Sequence, residues 1–326
     1  MTTATQNAGL SRVTAVINGK GGTMKTSIVS SIGALVAEAD WNVLLIDFDP
    51  QGNLSEDLGL GEETDDGEQQ FDAVPKGAPF RPQPTGRPRL DVIYGGQLLH
   101  DLHAVMQARQ SRDPDGWSHA LANSIAGVAD DYDLVLIDCP PGNEVLQTLA
   151  LVASRYALIP TRSDASSRKG LREVARRFQS VRPHNERLEL LGVVRTGITS
   201  SGKAIRDEVR RDIEVDLGGA APVLRTCIRY AERPAKTVRD TGKLPHELEP
   251  ELAQQRQQLF SRLRELRKTK TTEKNPPRGK HRHDPAAEAE IVLAPSTSGL
   301  AQDYAELTQE FLDLLDHAEA TAEATA

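Results

Sequence analysis

Two lysines and several hydroxyl side chains are crowded into a glycine-rich stretch near the N-terminus, over residues 19–27. An apolar, β-branched run at 13–17 precedes this stretch, and a run with helical spacing at 27–39 follows it. A glycine-rich loop between a strand and a helix points backbone N–H groups at an anion, and the helix N-terminus adds positive potential. The pattern therefore predicts a phosphate cradle, which comprises Gly19, Lys20, Gly21, Gly22, Thr23, Met24, Lys25, Thr26 and Ser27.

Two side chains at the end of this loop are suited to phosphoryl chemistry. Lys25 stands where a lysine neutralises phosphate charge, and the hydroxyl of Thr26 is placed to bind Mg²⁺. A second lysine, Lys20, directly follows the first glycine, although an ordinary phosphate loop needs only one. The loop alone could be a chance glycine-rich turn, so the rest of the chain must supply the supporting motifs.

Carboxylates follow two further apolar runs that are typical of buried strands. The run at 43–46 leads into Asp47 and Asp49, which are two residues apart and so fall on one side of the strand. The run at 134–137 leads into Asp138, which is predicted to hold Mg²⁺. Because ligands bind at the carboxyl ends of parallel strands, we expect these acids to lie near the phosphate loop.

These motifs together resemble those of the ParA/MinD family, ATPases with a deviant Walker A box. Lys20 matches the family's extra lysine, which reaches across a dimer interface to the partner's nucleotide. The Asp-x-Asp-Pro-Gln-Gly-Asn string at 47–53 closely resembles the family's second motif. The resemblance implies that Asp49 orients the attacking water and that Asp47 supports the lysine and Mg²⁺ shell. The implied catalytic residues are Asp49, Lys20 and Lys25, and the implied metal site is Thr26, Asp138 and Asp47.

The resemblance also implies the reaction. Pro140-Pro141-Gly142 fits the segment that senses the γ-phosphate in this family. The expected cofactors are ATP and Mg²⁺, and the expected chemistry is phosphoryl transfer to water, in which positioning and charge neutralisation carry most of the catalysis.

Met24 departs from the family pattern, which has glycine at this position. Its Cβ costs about 1–2 kcal/mol if the loop needs a left-handed backbone here. This departure favours one alternative, a binding protein with an inactive nucleotide site. The retained Lys20, Lys25, Asp49 and Asp138 argue against that alternative.

Strand-like and helix-like runs alternate along most of the chain, which predicts an α/β fold with a doubly wound, mostly parallel sheet flanked by helices. We expect a flexible N-terminus at 1–10 and an ATPase domain at 11–246. Within that domain, the acidic and then proline-rich stretch at 61–88 is expected to be a surface or disordered loop. The remaining predicted segments are a charged helix with a basic linker at 247–290, a closing helix at 291–316 and a flexible tail at 317–326.

Composition predicts a cytoplasmic protein. Two cysteines in 326 residues give no disulfide framework, and the polar N-terminus does not resemble a signal peptide. No apolar run approaches the length of a membrane span, so no membrane partner is expected.

The charge is distributed unevenly along the chain. Residues 155–243 contain 20 Lys and Arg against 11 Asp and Glu, a net +9, although the whole chain carries −8. A basic half within an acidic protein suggests a surface for a polyanion, although solvated, salt-bridged helix faces would give the same count. Residues 226–244 resemble the family's late segment, near which members bind DNA. The DNA-binding candidates are Arg229, Arg233, Lys236 and Arg239.

The predicted function is ATP-dependent DNA partition by a nucleoid-associated homodimer. In this hypothesis the ATP-bound dimer binds DNA without sequence preference, and a ParB-like partner stimulates the hydrolysis that releases it. A MinD-like membrane-cycling ATPase is one alternative, but the C-terminal run at 304–317 has acids and no Lys or Arg for a lipid surface. A cargo-positioning ATPase of the same fold stays open. An iron–sulfur reductase is disfavoured because Cys139 directly follows Asp138.

Overall fold

The computed structural model describes residues 10–61, 64–162, 165–198, 207, 210–215, 222–248 and 297–325, with the backbone alone at 165–172, 232–235, 297–298, 323 and 325. The described residues form one eight-stranded sheet of order β3-β4-β2-β5-β1-β6-β7-β8. All neighbours pair in parallel except β3 with β4. The strands are β1 (Val13–Val16), β2 (Val43–Asp47), β3 (Gln83–Pro84), β4 (Leu90–Ile93), β5 (Leu134–Asp138), β6 (Tyr156–Arg162), β7 (Glu189–Ile198) and β8 (Val223–Arg229).

Helices connect the parallel strands and cover both faces of the sheet, as the alternating pattern predicts. They are α1 (Lys25–Glu38), α2 (Asn53–Asp57), α3 (Glu68–Ala73), α4 (Leu98–Arg112), α5 (Ala120–Ala126), α6 (Glu144–Val152), α7 (Ala165–Val181), α8 (Glu232–Thr241) and α9 (Thr297–Thr325). A further helical stretch lies at 210–215. The predicted α/β architecture is therefore confirmed.

The central strands are apolar throughout because each face of the sheet is buried. Along β2, Leu44 and Ile46 pack in one apolar cluster with helices α4 to α6, and Val43 and Leu45 pack in the other with α1 and α9. This alternation with a period of two is the expected result of side chains pointing to opposite faces of a strand. The two clusters hold the carboxyl ends of β1, β2 and β5 side by side.

The structure corrects the expected surface loop at 61–88. From residue 64 onward this segment folds as α3, a short 3-10 turn at Val74–Lys76 and the edge strand β3. Val74 and Phe80 are buried in the cluster that contains α4. The widely spaced apolar residues of this stretch fix it to the core despite the surrounding acids and prolines.

The C-terminal helix is longer than predicted. α9 runs to Thr325, so the described part of the expected flexible tail at 317–326 is helical. Within it, Glu319 accepts two hydrogen bonds from the Arg12 guanidinium, at 2.7 and 3.0 Å. Earlier in the helix, Tyr304 and Phe311 are buried in the cluster that contains α1.

Two predicted segments fall largely outside the described residues. These are the flexible N-terminus at 1–10 and the charged helix and basic linker at 247–290. Among the helices that are described, none has the length and apolar character that a membrane crossing requires.

Candidate phosphate and magnesium site

The phosphate loop joins β1 to α1 and is tied to the neighbouring strands. Buried Asn18 donates from Nδ2 to the carbonyl of Pro160 at 2.6 Å, and its Oδ1 accepts the backbone N–H of Lys20 at 2.9 Å. At the other end of the loop, the hydroxyl of Thr196 on β7 donates to the carbonyl of Thr23 at 3.2 Å. The loop is therefore held in shape by β6 and β7. Asn18 has a weak sequence signal, a polar residue that ends an apolar strand, whereas Thr196 has none.

The N-terminus of α1 is open to an anion. Its N-cap residue, Met24, has a left-handed backbone with φ 65° and ψ 27°, and no described side chain caps the helix. The first turn of α1 contains no acidic residue. Backbone N–H groups at such a helix start favour phosphate. The sequence analysis attached a strain cost to Met24 if its backbone were left-handed, and the backbone is left-handed. The Met24 side chain packs against the apolar cluster around α1.

The two lysines of the loop lie in different environments. Lys25 is buried, with 6% of its surface exposed, and its Nζ donates to the carbonyl of Lys20 at 3.3 Å. That carbonyl and the N–H of Lys20 are both hydrogen-bonded, so the backbone of Lys20 is anchored while its side chain is only half-buried. This arrangement suits Lys25 to the phosphates of its own subunit. The role of Lys20 across a dimer interface stays a prediction.

Thr26 and Asp138, two of the predicted magnesium ligands, are directly hydrogen-bonded to each other. The Thr26 hydroxyl donates to Oδ2 of Asp138 at 2.6 Å, whereas Oδ1 is buried without a hydrogen-bond partner among the described residues. Burial raises the pKa of Asp138 to about 7, against the opposing effects of Lys25 and the Thr26 hydrogen bond. A hydroxyl beside a carboxylate oxygen with spare acceptor capacity fits a hard cation such as Mg²⁺.

The two acids of the second motif differ in what they contact. Oδ1 and Oδ2 of buried Asp47 accept the backbone N–H groups of Asp49 and Leu54 at 3.1 and 3.0 Å. Burial and then the neighbouring Asp138 raise the pKa of Asp47 well above its ordinary value. In this conformation Asp47 shapes the turn that carries Asp49, and its part in the magnesium shell stays a prediction. Asp49 uses Oδ1 to accept the N–H of Gln51 at 3.0 Å.

Strand register brings these groups together as the sequence analysis expected. Asp47 and Asp138 are directly paired across β2 and β5, and Val16 of β1 is paired with Asp138 on its other side. Asp49 contributes to raising the pKa of Asp138, as does Asp57. The three predicted carboxylates therefore lie at one edge of the sheet with Lys25 and Thr26.

The Pro140-Pro141-Gly142 segment lies beside the phosphate loop. The side-chain amide of Gln147 donates to the carbonyls of both Pro140 and Asn18, at 2.8 and 3.4 Å. Asn143 caps α6, because its Oδ1 accepts the N–H of Leu146 at 3.1 Å. Gln147 and Asn143 were not singled out from the sequence, although a cap residue directly after Gly142 was a usable signal.

The predicted DNA-binding residues are not equivalent in the structure. Arg229 is joined to Asp303 through its backbone N–H, Nε and one terminal nitrogen, at 2.9, 2.8 and 2.8 Å, which fastens β8 to α9. Lys236 and Arg239 are exposed on α8. The side chain of Arg233 lies outside the part of the chain that the structure describes. A structural contact thus already engages Arg229, which leaves Lys236 and Arg239 as the better-placed described candidates.

A second cluster of charged side chains lies away from this edge. Glu38, His246 and Glu247 have ligand-type atoms within 4.8 Å of one another. However, the Glu247 carboxylate accepts two hydrogen bonds from Arg87, at 2.7 and 2.9 Å, and one from the N–H of Leu244 at 2.6 Å. Its acceptor capacity is therefore used within the fold.

Comparison with known proteins gives a consistent assignment. A family model described as an AAA domain matches residues 11–190. The chromosome partitioning protein ParA of Caulobacter vibrioides is 31% identical over 231 residues, covering 69% of this chain and 84% of the relative. The sporulation initiation inhibitor protein Soj of Bacillus subtilis is 30% identical over 208 residues, covering 62% and 80%.

A solved structure supports the same fold. The cobyrinic acid a,c-diamide synthase of Mycobacterium smegmatis, determined with bound ADP and magnesium, has a TM-score of 0.58 and 30% identity. The match covers 71% of this chain and 92% of that one. With a phosphate loop, two acidic strand ends and relatives of this kind, the chain belongs to the ParA family of partition ATPases.

Proposed function

We propose that this chain binds and hydrolyses ATP with Mg²⁺ and uses the cycle to bind and release DNA during partition. The observation that carries the nucleotide part is Asp138, whose buried Oδ1 lacks a described partner beside the Thr26 hydroxyl and near Lys25. The ADP and magnesium bound by the synthase of Mycobacterium smegmatis support the same ligands here.

Each residue of the site has one task in this proposal. The N–H groups at the start of α1 and the buried Lys25 bind the phosphates, while Thr26 and Asp138 hold the metal. Bound Mg²⁺ supplies charge neutralisation on the phosphate oxygens. Asp49 orients a water so that its oxygen bonds to the γ-phosphorus as the bond to the β-γ bridging oxygen breaks, and the water proton leaves to solvent or product.

The assembly part of the proposal comes from the family. Two subunits close around their nucleotides, and Lys20 of each subunit reaches the nucleotide of the other. The half-buried side chain of Lys20 on a fixed backbone is compatible with this reach. A ParB-like partner stimulates turnover, and the dimer acts on the nucleoid in the cytoplasm.

The DNA surface is proposed to include Lys236 and Arg239, which are exposed on α8. The MinD-like alternative is weakened by α9, because its apolar residues Leu307 and Phe311 are buried against the body of the protein. That face is therefore not available to insert into a lipid surface.

The test is a gel shift of random-sequence duplex DNA with ATP, with ADP and without nucleotide. We expect binding that needs ATP and weakens steeply as salt rises, because phosphate contacts release counterions. The variant Lys25→Ala should lose ATP binding by about 100-fold or more, since a charge-assisted contact to phosphate is removed. Exposed Lys76→Ala is the matched control. Binding to DNA that is equal in all three nucleotide states would contradict the proposal.

A further inference from the structure

A buried carboxylate outside the predicted site links the phosphate loop helix to helix α8. Asp57, at the C-terminal end of α2, has only 3% of its surface exposed. Its Oδ2 accepts hydrogen bonds from the hydroxyls of Ser27 and Ser30 on α1, at 3.2 and 3.4 Å. Its Oδ1 faces Nε of Arg239 on α8 at 3.9 Å.

On α1, this contact lies next to a predicted magnesium ligand. Ser27 follows Thr26, the residue whose hydroxyl donates to Asp138. On the same segment as Asp57, the N–H of Leu54 is bound by Asp47, which also binds the N–H of Asp49. Asp57 therefore contacts the first turn of α1 and is carried by the helix that follows the Asp49 turn.

The junction between α2 and α8 is closely packed. Gly59 and Gly242, which follow the two helices, are in such close backbone contact that a Cβ on either would collide with the other. The Arg87 guanidinium donates to the carbonyls of Leu58 and Gly242 at 2.7 and 2.8 Å and also pairs with Glu247. Because this packing restrains the backbone of α8, the contact of Arg239 with Asp57 depends mainly on the conformation of the Arg239 side chain.

The Arg239 side chain is free to leave that contact. It is 59% exposed, and 3.9 Å is near the limit at which an ion pair is counted. Because solvent screens a guanidinium this exposed, a contact at 3.9 Å contributes at most about 1 kcal/mol, so a nearby phosphate group can compete for Arg239. Asp57, which is buried, cannot follow.

We propose that Asp57 is a positioning residue that competes with DNA phosphate for Arg239 and so links the nucleotide site to the α8 surface. This inference rests on the proposed function, because it assigns a regulation to the same DNA surface. When the Ser27 and Ser30 hydroxyls donate strong hydrogen bonds to Asp57, they stabilise its negative charge and weaken its ion pair with Arg239. Arg239 can then bind a DNA phosphate. A change in the first turn of α1 on nucleotide binding therefore alters DNA affinity, and by linkage DNA alters nucleotide affinity by the same factor.

Asp57→Asn tests the competition because it removes the charge with little change of volume. Anisotropy of a labelled random duplex, measured without nucleotide, with ADP and with ATP, gives the affinities. We expect the nucleotide-free affinity to rise about 3- to 5-fold and the ratio of ATP to nucleotide-free affinity to fall by a similar factor. The matched control is Glu56→Gln, which removes the same charge from an exposed neighbour on α2.

Two further variants make the test specific. Combined with Arg239→Gln, Asp57→Asn should give no gain in nucleotide-free affinity, since the competing guanidinium is absent. Ser30→Ala should have the opposite sign, a lower nucleotide-free affinity, because Asp57 loses a hydroxyl donor and holds Arg239 more firmly. Ser30→Ala also serves if Asp57→Asn fails to fold.

The outcomes separate this inference from the proposed function. An equal gain with Asp57→Asn and Glu56→Gln, or a gain that persists without Arg239, overturns the inference and leaves the proposed function intact. If the unsubstituted chain binds no DNA in any nucleotide state, the proposed function fails, and the same variants are then compared on heparin. Unchanged heparin affinity in Asp57→Asn would overturn the competition as well.

Discussion

Two turns at the same edge of the sheet end in nearly the same backbone conformation but serve different purposes. Each joins a parallel strand to a helix, and each helix begins after a left-handed residue. Met24 precedes α1 with φ 65° and ψ 27°, and Gly52 precedes α2 with φ 63° and ψ 22°. What differs is the partner of the helix N-terminus. In α2, the N–H of Leu54 is bound by Asp47, whereas no described side chain caps α1.

This difference predicts which turn binds a ligand and which has a structural role. Where the chain supplies its own carboxylate, the helix start is already satisfied and the turn becomes a fixed support for Asp49. Where no carboxylate is supplied, the N–H groups and Lys25 are left for an external anion. Four measurements test this contrast, and they follow in order of decreasing effect.

The largest effect is expected from Asp49→Ala. If the second turn exists to support Asp49, removing that carboxylate should slow ATP hydrolysis by about 100- to 10,000-fold, the usual contribution of a group that handles the attacking nucleophile. ATP binding should be retained, because Asp49 does not belong to the phosphate loop. Phosphate release and nucleotide affinity are measured on the same preparation.

Glu56→Gln is the control for Asp49→Ala, since Glu56 is an exposed acid in the same segment. Hydrolysis at the unsubstituted rate in Asp49→Ala would remove the role given to this turn. A parallel loss of ATP affinity would instead indicate that the two turns are not independent.

The second effect concerns the pH dependence of the metal site. In the folded, ligand-free chain the pKa of Asp138 is raised to about 7 by burial, whereas an unfolded aspartate has a pKa of about 3.9. Mg²⁺ needs the carboxylate form, so the Mg²⁺-dependent part of ATP affinity should rise by about tenfold per pH unit below about 7 and then level off. Titration of Mg²⁺ into protein with ATP from pH 5.5 to 8 measures this slope.

The same pKa predicts the stability of the ligand-free chain. Between the unfolded and folded pKa values the folded state holds a proton that the unfolded state lacks. Stability therefore falls as pH rises from about 4 to about 7. Asp138→Asn removes the titrating group and should flatten this part of the profile. If stability still falls equally steeply with pH in Asp138→Asn, the effect comes from other groups. Asp47 is the first candidate, because burial also raises its pKa.

The sequence predicted the ligand edge well because its signals are local. Each functional side chain follows directly on an apolar strand, so strand order and register carry Lys25, Asp49 and Asp138 to one place. The bounds were also close, with the helix expected at 27–39 found at Lys25–Glu38. The sequence did not predict that Asp47 would hold the following turn by accepting the N–H groups of Asp49 and Leu54. The direction of these N–H groups depends on the conformation of the turn.

Features set by distant partners were not predictable in this way. Arg229 was a DNA-binding candidate because it lies in a segment that resembles the family's late segment. Its partner Asp303 lies 74 residues away on α9, so the ion pair that joins β8 to α9 could not be seen from local sequence. The stretch at 61–88 has a composition typical of a loop, yet the burial of Val74 and Phe80 orders it. In both regions tertiary packing decided what local composition left open.

The smallest effect concerns Met24, which stands where the family pattern of the phosphate loop has glycine. Met24→Gly relieves the left-handed backbone but loses side-chain packing and gains unfolded-state entropy, so its net effect on stability should be under about 1 kcal/mol. Met24→Ala keeps the backbone strain and loses the same packing. The difference in stability between these two variants is therefore the left-handed backbone strain of alanine minus the unfolded-state entropy lost with glycine. This net difference should be about 1 kcal/mol.

Gly52→Ala gives the matching measurement in the other turn. A Cβ there would lie 3.5 Å from the nearest atom, the carbonyl oxygen of Gly95, which is an ordinary contact, so its cost is also backbone strain. Urea unfolding should give the same value, about 1 kcal/mol, for Gly52→Ala and for the step from Met24→Gly to Met24→Ala. If the Met24 step were near zero while Gly52→Ala still destabilised, the phosphate loop would have relaxed away from the left-handed conformation. The two turns would then differ in backbone as well as in what they bind.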